Sequence, residues 1–345
     1  MEASPLVSIV IPHLRGREIL LRCLQSLHVG TRYIASLQVV VVDNASTDGS
    51  VEAVRTEFPD IKVLPAEKNL GFAGACNWGI RETNGEFVVL LNDDTEVTAG
   101  WLEPLLDCMR IDEKVAACQP KLLNLRQFEF FDYAGASGGH LDVFGFPFAR
   151  GRIFHTIEKD TGQYDDATEV FWATGACLML RRSALQTTGL LDDDFFAHME
   201  EIDLCWRLHL AGYRVRVAPK SVVRHQSGST LQQNTPQKIY LNHRNSLIML
   251  LKNYSCASLL RIFPIRLLFE LAAGLYYVAK LDLKSAIAVM RAVIDILLRL
   301  PAILQKRASI QRCRVCNDRA LRQQLYHRSI VLDYFVLGRK SFVEL

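Results

Sequence analysis

Short continuous apolar runs alternate with stretches of helical period through the first hundred residues. Residues 7–11 are a β-branched run that stops at Pro12 and reads as a buried strand. Residues 17–29 place Leu20, Leu21, Leu24 and Leu27 at helical spacing. Residues 37–42 form a second strand, closed by Asp43-Asn44-Ala45-Ser46, and a helix is expected over 51–57, before Pro59. Strands over 61–64 and 87–91 flank a small-residue helix over 71–81. Strands that are apolar throughout and alternate with helices predict a parallel sheet covered on both faces, with ligands at the carboxyl ends of its strands. The polar clusters after Pro12, Val42 and Leu91 all fall at such ends.

From 128 to 166 the pattern is irregular and rich in glycine and aromatics, as expected of loops and short strands over an acceptor site. A strand is expected over 170–181, a helix over 200–211 and a strand over 213–218. From 239 to 304 apolar residues dominate, while Lys280, Lys284, Arg291, Asp295 and Arg299 recur at spacings of 4, 7, 4 and 4 and make one polar stripe on an apolar helix. The longest uncharged run there, residues 271–279, is nine residues, too short for a conventional transmembrane helix.

Composition adds one asymmetry. The 345 residues carry +3 overall, but residues 251–345 hold 16 Lys and Arg against 6 Asp and Glu, leaving residues 1–250 at −7. The mean hydropathy of +0.11 owes part of its value to the basic tail. An acidic body suits metal ions and a basic apolar tail suits an anionic surface. Nine scattered cysteines fit a reducing compartment, and the opening MEASPLVSIVIP is too acidic and too briefly apolar for a signal peptide.

Four polar constellations carry candidate chemistry. In VVVVDNASTDGS, Asp43 accepts hydrogen bonds from a base or ribose, or else closes an Asx turn. In VVLLNDDTEV, adjacent carboxylates at a strand mouth suit Mg²⁺ or Mn²⁺. In FFAHMEEIDLCWRLHLAGY, Glu200, Glu201 and Asp203 offer either helix-dipole complements or a general base. In VVRHQSGS, His225 follows a strand and on its own reads as structural.

Together and in this order, the pieces VSIVIP, VVDNASTDGS, NLGFAGACNWGI, LLNDDTEV, ATGACLMLRR, HMEEIDLCWRLHLAGYRV and RHQSGS resemble glycosyltransferase family 2, in its rhamnosyltransferase-like subgroup, from about residue 5 to 250. The resemblance implies a GT-A fold, an α/β architecture with a mostly parallel sheet flanked by helices, followed by an amphipathic helical extension over 251–345. It implies donor binding by Pro12, Asp43, Asn44, Asn69, Gly71, Asn92 and Asp93. Asn92-Asp93-Asp94 matches the Asp-X-Asp motif with Asn at its first position, and Asp94 and His225 would ligate a divalent cation, Mg²⁺ or Mn²⁺. Glu200-Glu201 matches the acidic pair that holds the catalytic base, with Glu201 as the base, Asp203 in reserve, and Trp172, Thr174 and Gly175 lining the acceptor side. The implied reaction is an inverting displacement from a nucleotide-diphosphate sugar, rhamnose among the candidates, to a saccharide or lipid-linked saccharide in cell-surface polysaccharide synthesis.

Two other readings use the same residues. A nucleotidyltransferase would release pyrophosphate rather than nucleoside diphosphate, and a non-catalytic membrane-associated assembly subunit would bind no nucleotide sugar. No G-x-G-x-x-G or Walker A sequence occurs, and Cys313-x-x-Cys316 reads as two exposed thiols. The tail covers the catalytic body, contacts a second subunit in a homo-oligomer, or lies in an anionic membrane interface, the last placing a cytoplasmic enzyme peripherally on the inner face of the membrane. Nucleic acid fits least, because apolar residues rather than aromatics separate the charges.

Overall fold

The computed structural model describes residues 6–30, 37–226 and 235–345. Residues 1–5 of the N-terminal reading and 227–229 of RHQSGS lie outside the described residues. In chain order the larger elements begin β1 (Val7–His13), α1 (Arg17–Gly30), β2 (Leu37–Asp43), α2 (Ser50–Glu57), β3 (Lys62–Pro65), α3 (Gly71–Arg81), β4 (Phe87–Leu91), β5 (Thr95–Val97), α4 (Leu102–Arg110) and β6 (Val115–Asn124). Four short strands follow, β7 (Gly139–Leu141), β8 (Pro147–Ala149), β9 (Arg152–Ile153) and β10 (Thr156–Ile157). Then come β11 (Cys177–Arg181), α5 (Arg182–Thr188), α6 (Glu200–Leu210), β12 (Arg214–His225), α7 (Pro236–Asn253), α8 (Cys256–Ala279), α9 (Leu283–Arg312), α10 (Asp318–Arg322) and α11 (Ile330–Phe335).

The main sheet has eight strands in the order β3-β2-β1-β4-β11-β6-β12-β5. Its first four are parallel, as their unbroken apolar sequences require, but β11 runs antiparallel to both β4 and β6. The sheet is therefore mixed. The expected strand over 170–181 is regular only from Cys177, and the one over 213–218 extends through a bulge to His225. β12 pairs parallel with β6, so His225 emerges at the same edge as His13, Asp43 and Asn92. One face packs Leu20, Leu24, Leu105 and Met109 from α1 and α4; the other packs Ala73, Ile80, Leu204 and Leu208 from α3 and α6.

The irregular stretch 128–166 contains the small antiparallel sheet β10-β9-β8-β7. The end of the chain covers it: Tyr326 N–H donates to Leu141 O at 2.9 Å, Ile330 N–H donates to Asp142 Oδ2 at 3.0 Å, and Ile330 is fully buried against Phe148 and Ile153. Residue 250 falls inside α7, and side chains on both sides of it, Leu247 to Ile303 among them, share the core with the catalytic sheet.

The C-terminal helices differ from expectation in two ways. Leu281 takes a left-handed φ of 60°, and α8 ends there, so Lys280 is separated from the rest of the proposed stripe. On α9 the middle of the stripe turns toward α7, while Lys284 stays exposed: Asp295 accepts from Tyr240 Oη at 2.7 Å and from Arg299 Nε at 2.8 Å, and Arg291 stacks on Tyr240. Apolar residues take the outer face instead. Arg261 near the start of α8 is exposed, and the two charges deeper in the helix, Arg266 and Glu270, pair at 2.6 Å and are buried against the body. Counted over its 24 residues α8 is long and apolar enough to cross a membrane, which corrects the estimate from uncharged runs alone.

Candidate functional site

The carboxyl edge of the sheet gathers most of the expected residues. Pro12 pairs with Val42 near the end of β1. Asp43 is buried and its Oδ1 accepts from Ser46 N–H at 3.1 Å, the Asx turn. Asn44 ties β2 to α3, accepting from Leu70 N–H at 2.7 Å and donating to Gly71 O at 3.1 Å, while Asn69 Oδ1 accepts from Gly71 N–H at 2.8 Å. Gly71 has a φ of 73°, and a Cβ there would stand 2.5 Å from Phe196, so both conformation and space require glycine. Through these side chains Asp43, Asn44 and Asn69 fix the backbone that leads into α3.

Asn92-Asp93-Asp94 leaves β4 into the same edge. His13, which pattern reading passed over, accounts for Asp93: its Nδ1 lies 2.6 Å from Asp93 Oδ2 and its Nε2 lies 2.9 Å from Ser50 Oγ. Ser50 in turn donates to Asp48, which also accepts from Gly16 N–H at 2.7 Å. Burial pushes the Asp93 carboxyl up, and the bond to His13 opposes it.

Asp94 Oδ1 lies 3.0 Å from His225 Nε2, and His225 Nδ1–H donates to Asp132 Oδ1 at 2.7 Å. Burial opposes protonation of His225, but the two carboxylates flanking its ring raise it well above the usual imidazole range. Asp132, completely buried, arises from the irregular stretch that gave no readable signal. A carboxylate behind a histidine fixes ring and tautomer, the arrangement that orients metal-bound histidines. Among the described residues no three His, Cys, Asp or Glu side chains converge on one ion position. Mg²⁺ and Mn²⁺ need only one or two side chains when diphosphate and water complete the shell. Asp94 and His225 fit that donor set, and the buried Asn92 Oδ1 beside them has no hydrogen-bond partner.

The acidic pair opens α6. Phe196, His198 and Met199 just before it have φ of 65°, 69° and 71°, costing about 1 kcal/mol or more each. α7 holds this loop: Asn245 Nδ2 donates to Phe195 O, Ala197 O and His198 O at 3.0, 3.0 and 2.8 Å, and Arg244 Nη2 donates to Asp194 O and Phe195 O. Glu200 is buried, and burial and then the charge of Glu201 push it well up. Glu201 is half-buried as a residue, and one of its carboxyl oxygens is buried without a hydrogen-bond partner. Burial pushes it up to about 7, and backbone N–H groups at its own position, Ile202 and Gly175 restrain the rise. Burial and the neighbouring charge thus make Glu200 the later of the two to lose its proton.

Three expected residues take other roles. Asp203 is completely buried, accepts from Arg207 Nε at 3.0 Å and Asn253 Nδ2 at 2.8 Å, and pairs with Lys252 at 3.1 Å, so it anchors α6 to α7 rather than exchanging protons. Trp172 is buried against Gly139 with Nε1–H donating to His140 O at 2.8 Å, and Thr174, also buried, accepts from Ala176 N–H. Both belong to the core and offer no surface for an acceptor sugar. Gly175, the third acceptor-side candidate, instead presents its N–H to Glu201.

The family 2 glycosyl transferase model matches residues 8–189. The chain belongs to this family. It is 28% identical over 262 residues to an N-acetylglucosaminyl-diphospho-decaprenol L-rhamnosyltransferase of Mycobacterium tuberculosis, covering 71% of this chain and 81% of the relative. It is 30% identical over 243 residues to a pre-mycofactocin glycosyltransferase of the same species, covering 68% of this chain and 45% of that longer relative. The fold resembles the mannosyltransferase PcManGT of Pyrobaculum calidifontis in complex with GDP-Man and Mn²⁺, with a TM-score of 0.52, 19% identity and 90% and 86% of the two chains covered. It also resembles Staphylococcus aureus TarS 1–349 in complex with UDP, with a TM-score of 0.53, 17% identity and 93% of each chain covered. The GT-A architecture is thus established, and this glycosyl transferase is an enzyme of sugar transfer, which sets aside both the nucleotidyltransferase and the non-catalytic reading.

Asp203→Ala in this glycosyl transferase would leave Lys252 buried with half its countercharge gone. The expected cost is about 3–5 kcal/mol, read by urea denaturation. Asp203→Asn that folds should still transfer sugar; a stable variant with no transfer would return Asp203 to the chemistry.

Proposed function

We propose that this chain transfers a sugar, rhamnose being one candidate, from a nucleotide-diphosphate donor to a lipid-linked saccharide at a membrane surface, with inversion and with a divalent cation. The observation that carries the chemistry is the Glu201 carboxyl, raised to about 7 by burial and left with one oxygen unpaired, in a chain that also joins Asp94 to His225 at the carboxyl edge of the sheet. A general base works best with a pKa near the operating pH. Glu201 takes the proton from the acceptor hydroxyl as that oxygen attacks the anomeric carbon, and Glu200, kept neutral, adds no competing charge. Gly175 N–H and the first turn of α6 hold the Glu201 carboxylate in place. Asp94 and His225 would hold Mg²⁺ or Mn²⁺, with Asp132 orienting His225; the cation supplies charge neutralisation for the departing nucleoside diphosphate. His13 keeps Asp93 turned into the chain of bonds from Ser50 to Asp48.

The membrane reading rests on the outer face of α8 and α9. Leu268, Leu271 and Leu275 are 65%, 60% and 59% exposed along one side of α8, and Ile287, Met290, Ile294 and Leu297 continue the surface on α9. Soluble monomers rarely leave so continuous an apolar face in water. Arg261, Lys280 and Lys284 at its margins are exposed and suit anionic headgroups. The buried Arg266–Glu270 pair fastens α8 to the body, with Arg266 stacked on Phe146 at 3.7 Å and bonded to Ser246, which favours a helix lying in the interface over one crossing it.

Glu201→Gln should lower transfer by about 10²–10⁴-fold with the melting temperature unchanged. The base must be ionised to act. The wild-type kcat/KM should therefore rise with pH through about 7, fall tenfold per pH unit below it, and be flat above. Wild-type-like turnover by folded Glu201→Gln protein contradicts the assignment. Replacing Leu268, Leu271 and Leu275 by serine in the full chain should lower partitioning onto phosphatidylglycerol vesicles by about tenfold or more in co-sedimentation. Undiminished pelleting removes α8 from the interface.

A further inference from the structure

Arg152 and Lys238 form a pair of cations on one ring, with no ion pair to either among the described residues. Tyr133 directly follows Asp132, the residue that holds His225. The guanidinium of Arg152, on β9, lies 4.7 Å from the Tyr133 ring centroid, and the ammonium of Lys238, in the first turn of α7, lies 5.7 Å from the same centroid. Arg152 is 8% exposed; its Nε has no hydrogen-bond partner and its Nη1 makes one long bond, 3.4 Å, to Phe154 O. Lys238 is half-buried and makes no ion pair among the described residues. His198, two residues before Glu200, lies close enough to feel Lys238.

This protein does not otherwise leave such lysines unmatched. Lys121, Lys252 and Lys306 each hold two carboxylates. At Lys238 burial first, and the Arg152 charge second, depress the ammonium below the usual lysine range. Two partly desolvated cations on one aromatic ring, without a countercharge, cost stability unless an anion completes them. Tyr133 orients both by cation–π contact, and the positive end of the α7 dipole lies on the same side.

A diphosphate is the anion that both a nucleotide-sugar donor and a lipid-linked acceptor carry, and two cations suit two phosphates. We propose that Arg152 and Lys238, ordered on Tyr133, form a diphosphate-binding site beside the transfer centre. That diphosphate belongs to the nucleotide donor or to a lipid-linked acceptor; only this choice of source rests on the function proposed above.

The test titrates the full-length protein calorimetrically with two probes: farnesyl diphosphate with the divalent cation chelated, and UDP or dTDP with Mn²⁺. Lys238→Met should weaken at least one of them about tenfold, the worth of a charge-assisted contact, and Lys238→Arg should retain it. Arg152→Met should do the same; should that buried substitution not fold, the Lys238 variants decide alone. Loss confined to farnesyl diphosphate assigns the site to the acceptor, and loss confined to the nucleotide assigns it to the donor; either supports the site. Unchanged affinity for both probes in folded Lys238→Met, or a wild-type protein that binds neither, overturns it. Sugar transfer is read separately, so failure of the transfer reading leaves these affinities standing.

Discussion

Glu200 and Glu201 stand side by side where little water reaches, and much of the surrounding structure exists to hold them there. Ionising both would place two desolvated like charges together, so the pair shares its protons and Glu201 exchanges near neutrality. The loop that delivers them is strained at Phe196, His198 and Met199, a geometry that persists only because Asn245 binds three of its carbonyls. α7 is in turn pinned to α6 by the buried Lys252–Asp203 pair, and Lys306 of α9 reaches Asp192 and Asp194 in front of the same loop. The basic C-terminal helices are thus part of the support of the acidic site. The charge asymmetry along the chain is a description of that contact as well as of an outer surface.

The parts of the fold legible in the sequence were those whose environment is uniform. Residues 71–81 and 87–91 were delimited correctly because a small-residue helix and a strand buried on both faces leave unmixed patterns. β6 was not read, since Gln119, Pro120 and Lys121 interrupt its apolar run, yet all three are buried by tertiary contact. The direction of β11 was invisible for a related reason: a strand apolar on both faces looks the same whether its neighbours run parallel or antiparallel. The polar stripe on α9 was read as spacing, but spacing does not say which face meets the body.

The site divides in the same way. Asp94, Glu200, Glu201 and His225 sit at element ends that the pattern marks, and the structure brings Asp94 and His225 into contact. His13 and Asp132 act across 80 and 93 residues of sequence, through single contacts that no local pattern encodes. The resemblance implied an acceptor-side role for Trp172 and Thr174, but they pack against Gly139 and Gly135 in the core. Arg152 and Lys238, 86 residues apart, meet only on the Tyr133 ring, a contact that no local pattern encodes.

The most direct test of the account is a crystal structure with Mn²⁺ and a nucleoside diphosphate. It should show the ion bound by Asp94 and His225 and bridging the diphosphate, with the Glu201 carboxylate free of metal and facing the open side of the site. An ion held by Glu200 and Glu201, or a diphosphate bound away from Asp94, would contradict the division of the site into a metal wall and a base wall.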